Sequence, residues 1–326
     1  MLDNYKINLQ LFANPNTNTT LDSGLSVENK TFYDMRLIET AQAELVHDQF
    51  GQKRPIPKNG GKTIEFRQYA SLPKALTPLT EGVTPDGSKL SATAIEATVA
   101  QYGNYVTLSD ILDLTAIDNN VLEATKACGR QAGLTLDTIT RNVLQACPNV
   151  WYAPKGDGTA VTSRSNLDAT CKLTVKLVKK VAAWLKAQNA PKVDGFYVAI
   201  IHPFAAFDLM DDKEWRYPHE YKDTSNIYEG EIGKIGGVRF VETSEALIIN
   251  GGVFSTLFIA DGAYGVTEVT GGGLQTIVKQ VGSGEDPLNQ RSSVGWKAIK
   301  TAEILIPAYL VRVESKGEFS AEADAN

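Results

Sequence analysis

The stretch SATAIEATVAQYGNYVTLSD, residues 91–110, decides how the rest of the chain is read. In period two, Ile95, Ala97 and Val99 share one face and Glu96, Thr98 and Ala100 the other, the alternation of a half-buried strand. The apolar phase then changes. Tyr102, Val106 and Leu108 have the opposite parity, and Gly103 stands at the changeover, where a bulge or bend is cheap. Neither face holds enough large apolar side chains to build a core of its own, so the strand must be completed by something else.

Immediately upstream, KTIEFRQY (62–69) alternates in the same way, with Ile64 and Phe66 opposite Glu65 and Arg67. Between the two strands lies SLPKALTPLTEGVTPDGSKL (71–90), dense in turn residues: Pro73, Pro78, Pro85 and the Asp86-Gly87 pair. Residues 62–110 therefore predict a long two-stranded excursion with an irregular tip. A lone hairpin is marginal in water, so it is expected to lie on another surface. Further upstream, the Asn/Thr-rich segment 14–30 predicts a flexible arm. Residues 31–50 predict an amphipathic helix (Phe32, Met35, Leu37, Ile38, Ala41, Leu45, Val46) that stops at Gly51, before Pro55 and Pro57.

Downstream, residues 118–147 give the strongest helical pattern. Val121, Leu122, Thr125, Cys128, Ala132, Leu136, Ile139, Val143 and Leu144 recur at three- and four-residue steps. Asp118 and Asn119 are candidate N-caps and Pro148 closes the segment. Such a helix runs roughly 45 Å, and its apolar stripe passes Gly129 and Gly133, so it is expected to be continuous. Residues 151–265 are mixed α/β: a loop at 155–166, a lysine-faced helix at 173–190, a buried strand FYVAII (196–201), a helix opening at Pro203, and the strands VRFVET and VFSTLFIA. From 266 to 314 the pattern is all β. No internal repeat or low-complexity tract occurs.

Composition narrows the function. Over 326 residues, 43% are hydrophobic and 21% charged, as in an ordinary folded protein. The net charge of −6 argues against a dedicated nucleic-acid binder, which carries a basic face. Cys128, Cys147 and Cys171 form no CxxC pair and suit a reducing compartment rather than a disulfide framework. INLQLFA (7–13), with only Lys6 beside it, is too short to span a membrane and poorly built as a secretory signal. The acceptor patterns at Asn18 and Asn29 are read as chance matches.

The catalytic inventory is poor. His47, His202 and His219 have no partner at a recognisable spacing, and His202, before Pro203, reads as a packed or capping residue. HExxH, GxSxG and Walker patterns are absent. GEIGKIGGV (230–238) and VGSGEDP (281–287) lack the strand–GxGxxG–helix order and read as turns. Asp211, Asp212 and Glu214 read as a polar helix end, and lysines 172, 176, 179, 180 and 186 as a solvated face. No catalytic, cofactor-binding or metal-ligating residue is nominated, and no cofactor is expected.

Flexible arm, short helix, long β-excursion, long helix, α/β middle and β-rich return follow one another in an order that resembles the tailed-bacteriophage major capsid proteins of the HK97-type fold. More closely it resembles their N4-gp56-like family. The likeness is carried by INLQLFA, LTPLTEGVTPDGSKL, AQYGNYVTLSDILDLTAID, QAGLTLDTITRNVL and EDPLNQRSSVGWK, and covers most of residues 35–315. It implies an α+β fold with 1–60 as N-terminal arm, 61–110 as the extended E-loop, 111–150 as P domain with its spine helix, 151–265 as A domain, and 266–326 as P-domain return and C-terminal tail. It also implies self-assembly into hexameric and pentameric capsomers of an icosahedral shell. That shell would enclose double-stranded DNA without gripping it, form in the bacterial cytoplasm, and need a separate scaffolding protein and a portal. Some relatives join subunits by an isopeptide bond; Lys74 and Lys89 lie in the E-loop, but nothing assigns one here. The competing readings are an encapsulin-like compartment, a tail-tube or decoration protein, and an α/β enzyme with a pocket in 151–265.

Overall fold

The computed structural model describes residues 45–69, 72, 74–79, 81–84, 86–115, 120–215, 231–270, 272–280 and 288–326. The elements, in chain order, are β1 (Gln52–Lys53), β2 (Thr63–Tyr69), β3 (Ala92–Thr98), β4 (Ala100–Ser109), α1 (Asp110–Thr115), α2 (Asn120–Gln145), β5 (Val150–Tyr152), α3 (Val175–Ala187), β6 (Tyr197–Ile201), α4 (Pro203–Met210), β7 (Glu231–Ile235), β8 (Val238–Glu242), β9 (Ile248–Ile249), β10 (Val253–Ile259), β11 (Tyr264–Glu268), β12 (Gln275–Lys279), β13 (Arg291–Ile304) and β14 (Leu310–Ser315). The expected arm and most of the expected 31–50 helix fall outside the described residues. At its end, residues 47–50 form a turn, not a helix.

A five-stranded sheet is organised on the 14-residue β13. One edge of β13 carries β12 and β11, with β1 beyond β11, and the other edge carries β4. Strand periodicity divides its residues between two faces. Val294, Trp296 and Ala298 turn toward α2 and pack on Cys128, Ala132 and Leu136. The helix is one unbroken run of 26 residues through both glycines, about 39 Å by its rise. It ends at Gln145, two residues short of the expected limit. The caps foreseen at Asp118 and Asn119 lie outside the described residues.

The contact of α2 with the sheet is not wholly apolar. Asp137, fully buried, accepts from the backbone N–H of Val46 (2.9 Å) and of His47 (2.7 Å), and pairs with His47 Nδ1 at 2.6 Å. Asp48 accepts from the Thr140 hydroxyl (2.6 Å) and pairs with the buried ammonium of Lys300, which also donates to Leu136 O at 3.1 Å. The Tyr264 hydroxyl donates to His47 O, and burial, with Asp48 nearby, pushes that phenol strongly upward. These bonds fasten the segment entering at residue 45 to the helix and to β13. Buried polar groups persist only when paired in this way.

The second sheet has seven strands in the order β5-β14-β10-β6-β8-β7, with β9 on the end of β10. Both faces of its central strands are covered, and their residues alternate between two cores. Tyr197, Ala199, Ile201, Phe254 and Phe258 pack beneath α3 and α4, while Val198, Ile200, Leu257 and Ile259 meet Leu144 of α2 and Tyr264 of the first sheet. This double coverage explains the run of apolar residues in β6 and β10. GEIGKIGGV becomes the β7–β8 hairpin, turning on Gly236 and Gly237, both at positive φ.

The last segment is divided between the two sheets. Strands β11, β12 and β13 belong to the first sheet, but β14 pairs with β10 and β5 in the second. Residues after it stay there: Phe319 stacks on Phe204, and the Asn326 side chain accepts from Ile248 N at 2.9 Å. Sequence pattern identifies β14 as a strand. Its sheet depends on partners as distant in sequence as Val150, which pairs with Arg312 and which the pattern does not encode.

Candidate assembly surface

The opening stretch is two strands, not one. β3 pairs with β2 alone, in antiparallel register from Thr63↔Thr98 to Tyr69↔Ala92, as an isolated ribbon. Val99 leaves the ladder, and β4 then pairs with β13. The apolar phase changes because the strand changes partner. Gly103 marks no bend, since β4 runs straight through it. A Cβ there would sit 2.6 Å from Trp296 O, so the residue is set by the close approach of β13.

One ribbon face packs on its own chain. Phe66 and Ala97 are buried against Leu305, with Ile64, Ile95 and Ile306 around them. This root is small. The opposite face, carrying Glu65 across from Glu96, then Arg67, Ala94, Tyr69 and Ala92, is exposed throughout. The connection beyond it exposes Leu72, Leu76, Leu79, Val83 and Leu90, with Leu76 at 82% and Leu79 at 77%. Past the ribbon, Tyr105, Val106, Ile111 and Leu112 of β4 and α1 are also uncovered. Among the described residues, ten of the fourteen exposed large apolar side chains thus fall between 69 and 112. Apolar surface concentrated in one segment marks an interaction site, whereas scattered residues would not.

A second feature lies on the sheet face turned away from α2. Tyr105, Gly295 and Ile277 form a row across β4, β13 and β12, with Lys297 beside Gly103 on one flank and Lys279 opposite Ser293 on the other. Together they bound a trough of about 630 Å³ whose floor at the glycines is bare backbone. A Cβ on Gly295 would lie 2.7 Å from Tyr105 Cβ.

The residues weighed for chemistry are dispersed. His202 caps α4, accepting from Phe204 N at 3.2 Å, and stacks on Phe254. Asp212 accepts from Val175 N (2.9 Å) and Glu214 N (3.0 Å), while Glu214 pairs with Lys179. Lys172 is shared by Asp208 and Glu318, and Lys180 lies over the Trp151 ring. Of these, Asp212, Lys180 and Trp151 line a cavity of about 780 Å³ together with Lys176. Burial pushes the three cysteine thiols upward, the direction of inert rather than reactive sulfur. His219 and residues 281–287 lie outside the described residues. Among the described residues no cluster of three or more metal-ligating side chains forms, and no helix is long and apolar enough to cross a membrane.

Sequence reading missed the His47–Asp137 and Asp48–Lys300 pairs, whose partners stand 90 and 252 residues apart. It also missed Arg164, which clasps the buried Glu314 with two bonds of 2.7 Å and pins the 155–166 loop to β14.

Burial lowers the His202 pKa, so folding favours its neutral form. The unfolded state therefore binds more protons, and this contribution is complete above the ordinary value of 6.5 and lost as pH falls below it. His202→Asn keeps a cap acceptor without the titration. In denaturant melts it is expected to lose less stability than the parent between about pH 6.5 and 5. Equal losses in both proteins would contradict the assignment.

The phage capsid protein family matches residues 92–313. No curated protein matches the chain. Among solved structures, the capsid of cyanophage P-SCSP1u aligns with 84% of this chain and 89% of its own at a TM-score of 0.65 and 13% identity. The cyanophage Pam1 capsid covers 85% and 92% at 0.63 and 16%. A virus-like particle from Pyrococcus furiosus covers 88% and 99% at 0.53 and 11%.

Proposed function

Since the chain belongs to the phage capsid protein family and is a shell-forming major capsid protein of HK97-type fold, we propose that its β2–β3 ribbon is the element by which one copy grips the next. The single observation behind this is the concentration of uncovered apolar side chains between residues 69 and 112. The ribbon has a root of a few buried residues and, among the described residues, nothing of its own chain over the rest. A neighbour's surface supplies the missing cover.

On this reading the five-stranded sheet and α2 form the P domain and the seven-stranded sheet the A domain, with residues 310–326 counted in the latter. Copies associate as hexamers and pentamers of an icosahedral shell, where many modest contacts become cooperative through closure. A scaffolding protein and a portal act with them during assembly in the host cytoplasm. The acidic balance of the chain suits a wall that encloses DNA without binding it. We read the chain as non-catalytic, because His202 is occupied in capping and Asp212 in backbone bonds. The match to the phage family favours a virion over a cellular compartment. The N4-gp56-like branch is a finer placement within that family, supported by the motifs quoted above.

Limited proteolysis with mass mapping, on free subunits and on shells verified by electron microscopy, tests the ribbon's role. Cleavage at residues 74–89 is expected in free subunits and suppressed at least about tenfold in shells. Equal cleavage in both states would remove the ribbon from the interface.

A further inference from the structure

On its outward face the ribbon sets two carboxylates directly across from each other, Glu65 and Glu96. Arg67 reaches Glu65 at 2.8 Å, and Glu96 has no cation among the described residues. Like charges in a cross-strand pair are unfavourable unless a further positive group meets them. The trough on the P-domain sheet holds the converse arrangement. Lys297 and Lys279 flank it, and neither has a carboxylate partner among the described residues.

Shape agrees with charge. On one side of Glu96 the β3 strand presents Ala94 and Ala92 and on the other Thr98, all small, so its backbone can approach a surface closely. The trough offers Gly103 and Gly295 at its floor, with Tyr105 and Ile277 as walls. A chain's own ribbon does not lie over its own trough. No ribbon residue lines the trough, and the ribbon's root packs on Leu305 and Ile306, past the end of β13 opposite to Ser293.

We propose that the outward face of the ribbon, β3 foremost, seats in this trough on a second copy of the chain, with Glu96 paired to Lys297 and Lys279 facing the Glu65 side. The pairing rests on the reading of the ribbon as an intersubunit element and names its receptor. It also accounts for a strand whose side chains are too small to build a core: they are sized for a floor made of glycine.

Shells assembled from a mixture of isotopically heavy and light chains, treated with a carbodiimide and mapped by mass spectrometry, test the contact on native residues. The expected product is a Glu96–Lys297 amide cross-link that includes mixed heavy–light pairs, and that is absent from unassembled subunits. In parallel, Glu96→Lys and Lys297→Glu are each expected to raise the concentration needed for assembly about tenfold or more, and the two together to restore it. Circular dichroism melts of the free variants establish that they fold, and the cross-link does not depend on them. A ribbon protected in shells, but with no mixed Glu96–Lys297 product and no rescue, would overturn this pairing while leaving the ribbon at the interface. A ribbon cleaved equally in both states would overturn both.

Discussion

A chain lacking residues 72–90, its ribbon strands joined by a short turn, is expected to fold normally and fail to close shells. The removed segment holds Leu72, Leu76, Leu79, Val83 and Leu90, each more than half exposed. None contributes to the intrachain cores, so the melting transition should barely move. In the assembled state each apolar side chain that becomes covered is worth up to about 1.5–3 kcal/mol, part of which is offset by ordering the tip. A net loss of about 3 kcal/mol per contact lowers each association constant more than about a hundredfold. Sedimentation and particle sizing should therefore find subunits or open fragments. Closed shells of ordinary size from the shortened chain would show that the tip is dispensable and that cover for the ribbon comes from elsewhere.

Leu136→Pro is expected to abolish soluble subunits altogether. Leu136 sits nine residues from the end of α2 and is 5% exposed, packed between Ala132 and the β13 face. Proline removes its N–H and collides with the carbonyl one turn back, at a cost of about 3 kcal/mol or more. Loss of the leucine adds about 2–5 kcal/mol. The same residue's carbonyl receives the Lys300 ammonium, so a kink there also disturbs the buried Asp48–Lys300 pair. The combined loss matches the whole stability of a typical domain. Leu136→Ala, which keeps the helix, should remain folded with a lowered melting point. Normal yield and normal shells from Leu136→Pro would mean that α2 is not the axis on which the first sheet packs.

What could be read in advance was whatever depends on neighbours in sequence. The 3.6-residue stripe of α2, the paired alternations of β2 and β3, and the Pro203 start of α4 each carry their own local signature. The change of apolar phase near residue 100 was visible too, but its cause was misplaced. Gly103 looked like a hinge, whereas the actual break is at Val99, and Gly103 answers to a carbonyl on a strand 193 residues later. Long-range facts were silent for the same reason. Nothing near His47 announces Asp137, nothing near Lys279 announces Gly103, and β14 carries the same pattern whichever sheet receives it. The assembly surface was legible as a deficit, a strand with too little to bury. The complement proposed for it was not, because Lys279 and Lys297 come to flank one trough only through the register of β12 with β13.

If a neighbour holds the ribbon as proposed, its continuation into β4, paired with β13, governs how the wall bears load. A neighbour holding the ribbon pulls on β3, and β3 hands that pull through Val99 straight down the axis of β4. There the strand is held to β13 by register pairs running from Ala100↔Lys300 to Ser109↔Arg291. Ladder bonds lie across the strands, so a pull along the axis loads them together in shear, not singly as in peeling. β13 passes the strain to β12 and β11 on its far edge, and past Ile304 the same chain enters β14 of the other sheet, between β5 and β10. A tug at the most exposed part of the molecule is thereby shared by both sheets, and the fold acts as a tether stitched into its own anchor.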